Sequence, residues 1–182
     1  MKYKNISKTK SKLMSNNKVP DDLISDSGDL YKWLWLPSSD TKHLLEIRNS
    51  KHVLKNMRNN SPITSEEHEI FILNYDLLQR LDFVLQHQAT GDYVGAMYIS
   101  LSDNGFEMGK YIGNKNFLGK GIAFSMSNLF INFIKNNVKE IERIRAVTRI
   151  YNHKNINLNF KLGFKIVKPL DDDYWLMELK SF

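Results

Sequence analysis

Two closely spaced glycines are the first residues in this chain whose spacing suggests chemistry. Gly119 and Gly121 lie between an apolar-rich segment, residues 106–112, and a run in which apolar residues recur at helical spacing. Asn116 stands where the N-cap of that helix would stand, so both glycines are predicted in its first turn. First-turn amides have no intrahelical partner and lie at the positive end of the helix dipole. The pattern predicts a seat for a diphosphate, with a plain strand-to-helix turn as the alternative.

The wider pattern around the glycines resembles a known family, the GCN5-related N-acetyltransferases. The family's acyl-CoA pyrophosphate loop, Arg/Gln-x-x-Gly-x-Gly/Ala, is similar to residues 116–121, NFLGKG, with Asn116 as the departure. The family's ending, Asn-x-x-Ala/Ser-Ile-x-Leu-Tyr-x-Lys-Leu-Gly-Phe, is similar to residues 152–164, NHKNINLNFKLGF. The tyrosine of that ending is Asn159 here. With a third block described below, the resemblance extends over most of residues 41–168.

This resemblance implies a fold and a cosubstrate. The implied fold is α/β, with a mixed, mostly antiparallel central sheet, helices on both faces, and two parallel strands, ending at Ile112 and Ile150, that splay apart. Acetyl-CoA or another short acyl-CoA would lie in that gap, held mainly by backbone groups. The residues that the resemblance places on acyl-CoA are Tyr111, Ile112, Phe117, Leu118, Gly119, Lys120, Gly121, Ile122, Ala123, Asn152, Asn155 and Asn159.

The reaction that the resemblance implies is direct attack of an amine on the acyl thioester in a ternary complex, which calls for a base and an acid. Glu107 is one candidate base, because the family often places a carboxylate near this point. His68 is the other candidate base, since an unperturbed histidine suits proton removal at neutral pH. The alternative for both Glu107 and His68 is an ordinary solvated surface residue without a catalytic role. Water could also carry the proton. Asn159 cannot deliver a proton to a thiolate, so the candidates for the acid are Tyr151, His153 or solvent.

A third block of residues concerns the acceptor. Arg48 and Asn49, together with Val53, Met57 and residues 65–68, resemble a narrower branch. That branch includes the nucleotide-sugar N-acetyltransferase of the pseudaminic acid pathway and, more distantly, the ribosomal-protein N-terminal acetyltransferases. The likeness implies acceptor contacts by Arg48, Asn49 and His68. A guanidinium suits a diphosphate because its planar fork binds two oxygens, although a helix C-terminus also favours an arginine.

Three functions follow, in order of preference. The first is N-acyl transfer to the amino group of a dTDP- or UDP-linked amino-deoxysugar for lipopolysaccharide or another surface glycan. The second is N-terminal or side-chain acetylation of a protein, which should need an open groove rather than a basic pocket. The third is a non-catalytic module that binds acyl-CoA or nucleic acid. Salt-dependent RNA binding, lost on deletion of residues 1–19, would favour this last alternative.

Composition narrows these alternatives. The chain has 182 residues, 42% of them hydrophobic, which suits one domain, predicted over residues 30–182. Residues 1–19 hold six lysines and no acid, which accounts for the net charge of +6. Residues 1–29 are therefore predicted to be a flexible basic and polar segment rather than a nucleic-acid site.

Cysteine is absent, the histidines have no metal spacing, and neither a membrane-length apolar run nor a secretory signal is recognisable. We expect a cytoplasmic enzyme without a metal or a membrane partner. A homodimer is possible, because family members often pair through sheet edges.

The elements that must position these residues follow from local patterns. Strands are predicted over residues 30–36, 81–88, 93–101, 106–112, 141–150, 164–167 and 174–179. Helices are predicted over residues 41–47 and 154–162, with a short helical piece around residues 50–57. Two more helices are predicted, one that begins after Thr64 and one that follows the glycines and runs to residue 135. Asp40 is predicted to cap the first helix, and Thr64 with Glu67 to form a capping box for the helix that carries His68.

Overall fold

The structure, a computed structural model of the chain, describes residues 4–180. Eight strands lie in this part: β1 (Leu23–Ile24), β2 (Leu30–Trp35), β3 (Arg80–His87), β4 (Tyr93–Ser102), β5 (Gly105–Ile112), β6 (Arg143–Arg149), β7 (Lys165–Pro169) and β8 (Tyr174–Lys180). They form one sheet in the order β1-β2-β3-β4-β5-β6-β8-β7. Neighbouring strands are antiparallel except β5 and β6, which are parallel.

Six α-helices accompany the sheet in the described residues: α1 (Ser7–Ser15), α2 (Thr41–Arg48), α3 (Lys51–Leu54), α4 (Ser65–Leu73), α5 (Ile122–Asn137) and α6 (His153–Lys161). The two predicted caps are confirmed. Asp40 accepts a hydrogen bond from the amide of His43 at 3.2 Å at the start of α2. Thr64 and Glu67 form the capping box of α4. Among the described helices, none combines the length and the apolarity needed to cross a bilayer.

The two faces of the sheet carry separate apolar clusters, because successive side chains of a strand point to opposite faces. Phe83 of β3 belongs to the main cluster, which α5 covers through Met126 and Phe130. Val84, the next residue, belongs to a second cluster with Leu44 of α2. The predicted fold class, a mostly antiparallel sheet with helices on both faces, is thereby confirmed.

The sheet opens along β5. This strand pairs with β4 over its whole length, from Gly105 opposite Ser102 to Ile112 opposite Gly95. Its pairing with β6 is limited to Glu107 opposite Arg145. Within the described residues, positions 108–112 therefore have no strand partner on that side, as the predicted splaying of the parallel strands requires.

The N-terminal segment corrects the prediction of a flexible lead over residues 1–29. Residues 1–3 lie outside the described part, but residues 7–15 form α1, and Ile6, Leu13 and Leu23 are buried in the main cluster. Lys10 is also buried, at 1% exposure. Residues 6, 10 and 13 have the spacing of one helix face, and the lysine interrupts the apolar pattern by which such a face is recognised.

The start of α5 also differs from its prediction. The side chain of Asn114 accepts a hydrogen bond from the amide of Asn116 at 3.0 Å and begins a 3₁₀ turn, Lys115–Phe117. The α-helix begins only at Ile122, with Gly121 as its N-cap. The two glycines therefore precede the helix, whereas the sequence pattern placed them in its first turn and Asn116 at its cap.

Candidate active site

A cavity of about 530 Å³ lies where β5 and β6 separate. Its walls come from β4, β5 and β6, from α3 and the segment that follows it, and from the N-terminal parts of α5 and α6. Met108 and Met126 line the cavity from the main cluster, and Tyr111 lines it from the second. The cavity thus passes through the gap in the sheet, so that two molecules could approach each other from opposite faces.

The turn before α5 has the geometry of an anion seat. Gly119 and Gly121 have φ angles of 78° and 74°, which a residue with a Cβ rarely adopts. Apart from chain neighbours, no described atom lies within 4 Å of a Cβ built on either glycine. In the described structure no side chain caps the first amides of α5. Leu118 and Ala123, on either side of the glycines, line the cavity, so an open backbone adjoins the gap between the strands.

Half of the residues predicted to contact acyl-CoA line this cavity. They are Tyr111, Ile112, Leu118, Ala123, Asn152 and Asn155. The others, which do not line it, are Phe117, Gly119, Lys120, Gly121, Ile122 and Asn159. Phe117 is 7% exposed and packs edge-on against Tyr31, so it contributes to the core. Asn152 caps α6, because its side-chain oxygen accepts from the amide of Asn155 at 3.2 Å.

The four residues predicted to handle protons are separated in the structure. Glu107 lines the cavity, and its Oε1 accepts a hydrogen bond from Oγ of Ser102 at 2.5 Å. His68 lies on α4, outside the lining, and its Nε2 is buried without a hydrogen-bond partner among residues 4–180. Tyr151 and His153 are exposed and also lie outside the lining. Of the four, the structure brings only Glu107 to the cavity.

Arg48 and Asn49 adjoin each other at the end of α2 but have different surroundings. The side chain of Asn49 donates to the carbonyl of Ile63 at 2.7 Å and accepts from the amide of Ile63 at 2.9 Å, so it secures a loop. Arg48 does not line the cavity, yet its charge acts on Tyr98 and Tyr111, which do. Burial raises the pKa of both phenols, and the charge of Arg48 opposes that effect. The Nη1 atom of Arg48 is buried, with no hydrogen-bond partner in the described residues.

The sequence analysis missed several polar residues that line the cavity, among them His52 and Lys110. His52 on α3 has its Nε2 3.2 Å from the carbonyl oxygen of Ile112, at the end of β5, and no local pattern marks it. Lys110 donates from Nζ to Oδ1 of Asn159 at 2.8 Å, and burial lowers the pKa of Lys110 to about 7. Strand alternation could have identified Lys110, because it follows the buried Met108 by two positions and so shares its face.

The assembled groups suit acyl transfer to an amine. The backbone of residues 108–112, which has no strand partner on the β6 side among the described residues, and the open glycine turn can hold an extended cosubstrate that carries a diphosphate. Glu107 and Lys110 place a carboxylate and an amine beside it. Within residues 4–180 no group of His, Asp or Glu side chains could hold a metal ion. Fold and site together define an acyl-CoA-dependent N-acyltransferase.

Comparison with known proteins identifies the family. Residues 34–165 match the family described as acetyltransferase (GNAT) domain. The match covers more than half of the chain and includes the cavity, so the protein belongs to this family. A search of curated protein sequences finds no match.

Solved structures of low sequence identity share the fold. A domain from Methanocaldococcus jannaschii is 22% identical with a TM-score of 0.70, over 84% of this chain and 99% of that chain. Spermidine N-acetyltransferase from Vibrio cholerae, solved with CoA and spermine, is 16% identical with a TM-score of 0.71, over 82% and 94%. Aminoglycoside acetyltransferase AAC(6')-Ib, solved with coenzyme A, is 15% identical with a TM-score of 0.68, over 82% and 94%.

Proposed function

We propose that this protein transfers an acetyl or other short acyl group from acyl-CoA to the amino group of a dTDP- or UDP-linked amino-deoxysugar. The observation that carries the proposal is the charge of the cavity. Among the described residues its lining includes one acidic side chain, Glu107, and four basic ones: Lys55, Arg58, Lys110 and Lys154. A cavity of this sign attracts a phosphorylated acceptor and disfavours a polycation such as spermine.

Two of these bases are placed to serve the acceptor. Lys55 and Arg58 belong to the segment after α3, which is held against the ends of β6 and β8. Arg149 donates to the carbonyl of Met57 at 3.3 Å, and the hydroxyl of Tyr174 donates to the carbonyl of Arg58 at 3.4 Å. The diphosphate of the coenzyme is expected at the glycine turn before α5. Lys55 and Arg58 therefore remain for the phosphates of a second substrate.

Arg48 supports the same choice of acceptor. Its Nη1 is a buried donor without a partner in the described residues, and an unsatisfied buried donor costs free energy. An oxygen of a bound diphosphate would satisfy that donor, and a guanidinium binds such oxygens in pairs. Its positive charge also reaches Tyr98 and Tyr111 in the cavity wall. In this proposal Arg48 attracts and orients the nucleotide, while Asn49 stabilises the loop behind it.

Glu107 is the proposed base. It lines the cavity, whereas His68 does not, and its carboxylate is held by Ser102 and by Nδ2 of Asn104 at 3.3 Å. The amino sugar must lose its ammonium proton before its nitrogen can attack the thioester. His68, whose Nε2 has no hydrogen-bond partner among residues 4–180 and which lies outside the lining, stays a predicted acceptor contact on α4. Cytoplasmic location and a homodimer stay predictions.

A release assay for free CoA tests the acceptor class. Several short acyl-CoAs would be combined with dTDP- and UDP-linked amino sugars, spermidine, an aminoglycoside and N-terminal peptides. We expect the highest kcat/KM with a nucleotide-linked amino sugar. Turnover of only peptides or only polycationic amines would show that the proposed acceptor is wrong, although the enzyme would still be an N-acyltransferase.

A matched pair of variants on α2 tests the role of Arg48. Arg48→Gln should raise KM for the nucleotide sugar about tenfold or more, since hydrogen bonds to charged groups contribute about 1.5–3 kcal/mol. KM for acyl-CoA should change little. Lys42→Gln, an exposed change on the same helix, serves as the control. Equal KM values for the nucleotide sugar in the two variants would show that Arg48 does not bind the acceptor.

A further inference from the structure

Acyl transfer from a thioester leaves a thiolate that must gain a proton, and the groups predicted to supply it are poorly placed. Tyr151 and His153 are exposed and lie outside the cavity lining. Asn159 has no acidic proton. The structure places a different proton-bearing group in the gap between β5 and β6, the amine of Lys110.

Lys110 lies on the stretch of β5 that has no partner strand on the β6 side in the described structure. Its side chain reaches towards α6, and Nζ donates to Oδ1 of Asn159 at 2.8 Å. An ammonium has three N–H donors. Since no other hydrogen bond of Nζ is found among residues 4–180, two donors remain for a group bound in the cavity.

Asn159 is positioned to hold this amine. It is fully buried, and its Nδ2 donates to Oγ1 of Thr148 at 3.2 Å and to Sδ of Met177 at 3.5 Å. These contacts direct Oδ1 towards Lys110. Thr148 is itself fixed, because Nδ2 of Asn155 also donates to its hydroxyl, at 3.0 Å. The amide therefore cannot rotate without breaking contacts to both β6 and β8.

The charged and titratable groups around Lys110 do not hold its ammonium proton in an ion pair. The titratable groups that line the cavity with it come from each neighbouring element: Glu107 and Tyr111 on β5, Tyr98 on β4, Lys154 on α6, and His52, Lys55 and Arg58 on α3 and after it. The lining residues of α5 and β6 are uncharged. Glu107, the one acid in the described lining, alternates with Lys110 to the other face of β5 and bonds to Ser102, and among residues 4–180 no carboxylate forms an ion pair with the amine.

We propose that Lys110 is the acid that protonates the departing thiolate of the coenzyme, with Asn159 as its positioning residue. The acceptor nitrogen forms a bond to the acyl carbon, and the carbon–sulfur bond breaks with its electron pair on sulfur. Nζ then gives one proton to sulfur, which leaves a thiol and a neutral amine. The proton lost by the acceptor goes through Glu107 to solvent, and solvent returns a proton to Lys110. The proposal rests on acyl-CoA-dependent transfer, whatever the acceptor.

The protonation equilibrium of Lys110 agrees with this role. Burial lowers the pKa of Lys110 to about 7, so both the ammonium and the amine are populated near neutral pH. A group of such pKa transfers protons more readily than an ordinary surface lysine. Because the ammonium is the active form, kcat/KM should fall as the pH rises through about 7, and this basic limb should be absent from a variant without the amine.

The decisive experiment measures the ionisation of CoA bound to the wild-type protein, with no acceptor present. Calorimetry first establishes binding, and the ultraviolet absorbance of the thiolate is then followed against pH. We expect the pKa of the bound thiol to lie about 1 or more below that of free CoA, because the ammonium of Lys110 pairs with the thiolate. An unchanged thiol pKa in the wild-type complex would overturn the proposal without any variant.

Variants separate charge from proton donation. Lys110→Met should restore the thiol pKa of free CoA, whereas Lys110→Arg should keep it low. Both should lose turnover by about 100-fold or more, since an arginine cannot release a proton. Lys161→Met, an exposed change on α6, should match the wild type. Turnover retained by either Lys110 variant overturns the proposal. Absence of CoA binding to the wild type would instead reject both proposals, and transfer to other amines alone would reject only the sugar acceptor.

Discussion

Lys10, buried in the N-terminal helix, and Lys110, half-buried in the open strand pair, show how differently one side chain can be used. Lys10 of α1 donates to the carbonyl oxygens of Tyr75 and Leu78, and its Nζ lies 3.7 Å from the centroid of the Tyr75 ring. Among residues 4–180, Nζ of Lys110 makes one hydrogen bond, to Oδ1 of Asn159, and Lys110 lines the cavity. Lys10 fastens α1 to the segment that precedes β3, whereas Lys110 is available to a bound molecule.

A lowered pKa does not distinguish these two lysines. Burial lowers the pKa of Lys10 to about 8 and that of Lys110 to about 7. The difference lies in what surrounds each nitrogen, since backbone carbonyls and a ring enclose one and a cavity adjoins the other. A buried amine therefore indicates function when its donors are unsatisfied and face a cavity. The following predictions test this distinction, from the largest expected effect to the smallest.

Removing each amine should affect activity very differently. Lys110→Met should reduce kcat by about 10²–10⁴-fold, the usual contribution of a positioned acid or base. Lys10→Met should leave kcat within about twofold, because Lys10 lies outside the cavity lining. Steady-state assays of CoA release at one pH measure both values. A comparable loss of kcat in the two variants would show that burial alone is the cause, and the distinction would fail.

The N-terminal region should contribute stability rather than activity. Ile6 is fully buried, so Ile6→Ala should lower the free energy of unfolding by about 2–4 kcal/mol through lost burial and a residual cavity. Ile24→Ala, at a residue that is 67% exposed, should change it by less than about 0.5 kcal/mol. Urea denaturation measures both. A negligible effect of Ile6→Ala would instead support the sequence-based prediction that the N-terminal segment is flexible.

The hydrogen-bond acceptors of the two lysine amines differ as well. Lys10 donates to backbone carbonyls, which no substitution removes, but Lys110 depends on the side chain of Asn159. Asn159→Leu should lower the free energy of unfolding by about 1–3 kcal/mol, because the amine and Thr148 lose a partner. It should also shift the basic limb of kcat/KM. Asn157→Leu, an exposed change on α6, is the control, and equal pH profiles for the two variants would argue against positioning by Asn159.

The pH dependence of stability should be the smallest effect when it is expressed per pH unit. Each lysine has a lower pKa when folded, so between that value and 10.5 the unfolded chain binds more protons and stability rises with pH. The stability of the wild type relative to Lys10→Met should rise from pH about 8, and relative to Lys110→Met from pH about 7. The slope should not exceed about 1.4 kcal/mol per pH unit. Urea denaturation across pH 7–10 measures both differences, and a fall with rising pH would contradict the assigned shifts.

Much of the fold could be predicted from local patterns. Seven of the eight strands were placed to within a few residues, because alternating apolar residues and turn signals act over short distances. The capping box at Thr64 was recognised for the same reason. α1 was missed because Lys10 interrupts its apolar face, and β1 because two residues are too few for a periodic signal.

The candidate site was predictable only in part. The glycine turn and Glu107 carry local signals, and the structure leaves that turn open and lines the cavity with Glu107. Residue type and motif alone suggested His68, Tyr151 and His153. Neither of these signals says how far a side chain lies from the gap between β5 and β6. The structure keeps all three out of the cavity lining.

The sequence by itself determined the family, the order of the strands along the chain and the glycine turn, because each depends on the spacing of near neighbours. Only the tertiary structure decided which side chains meet in the gap. His52 reaches Ile112 across 60 positions, and Lys110 reaches Asn159 across 49. Such contacts arise from packing helices onto a sheet that is open on one side of β5, and no short-range pattern records them.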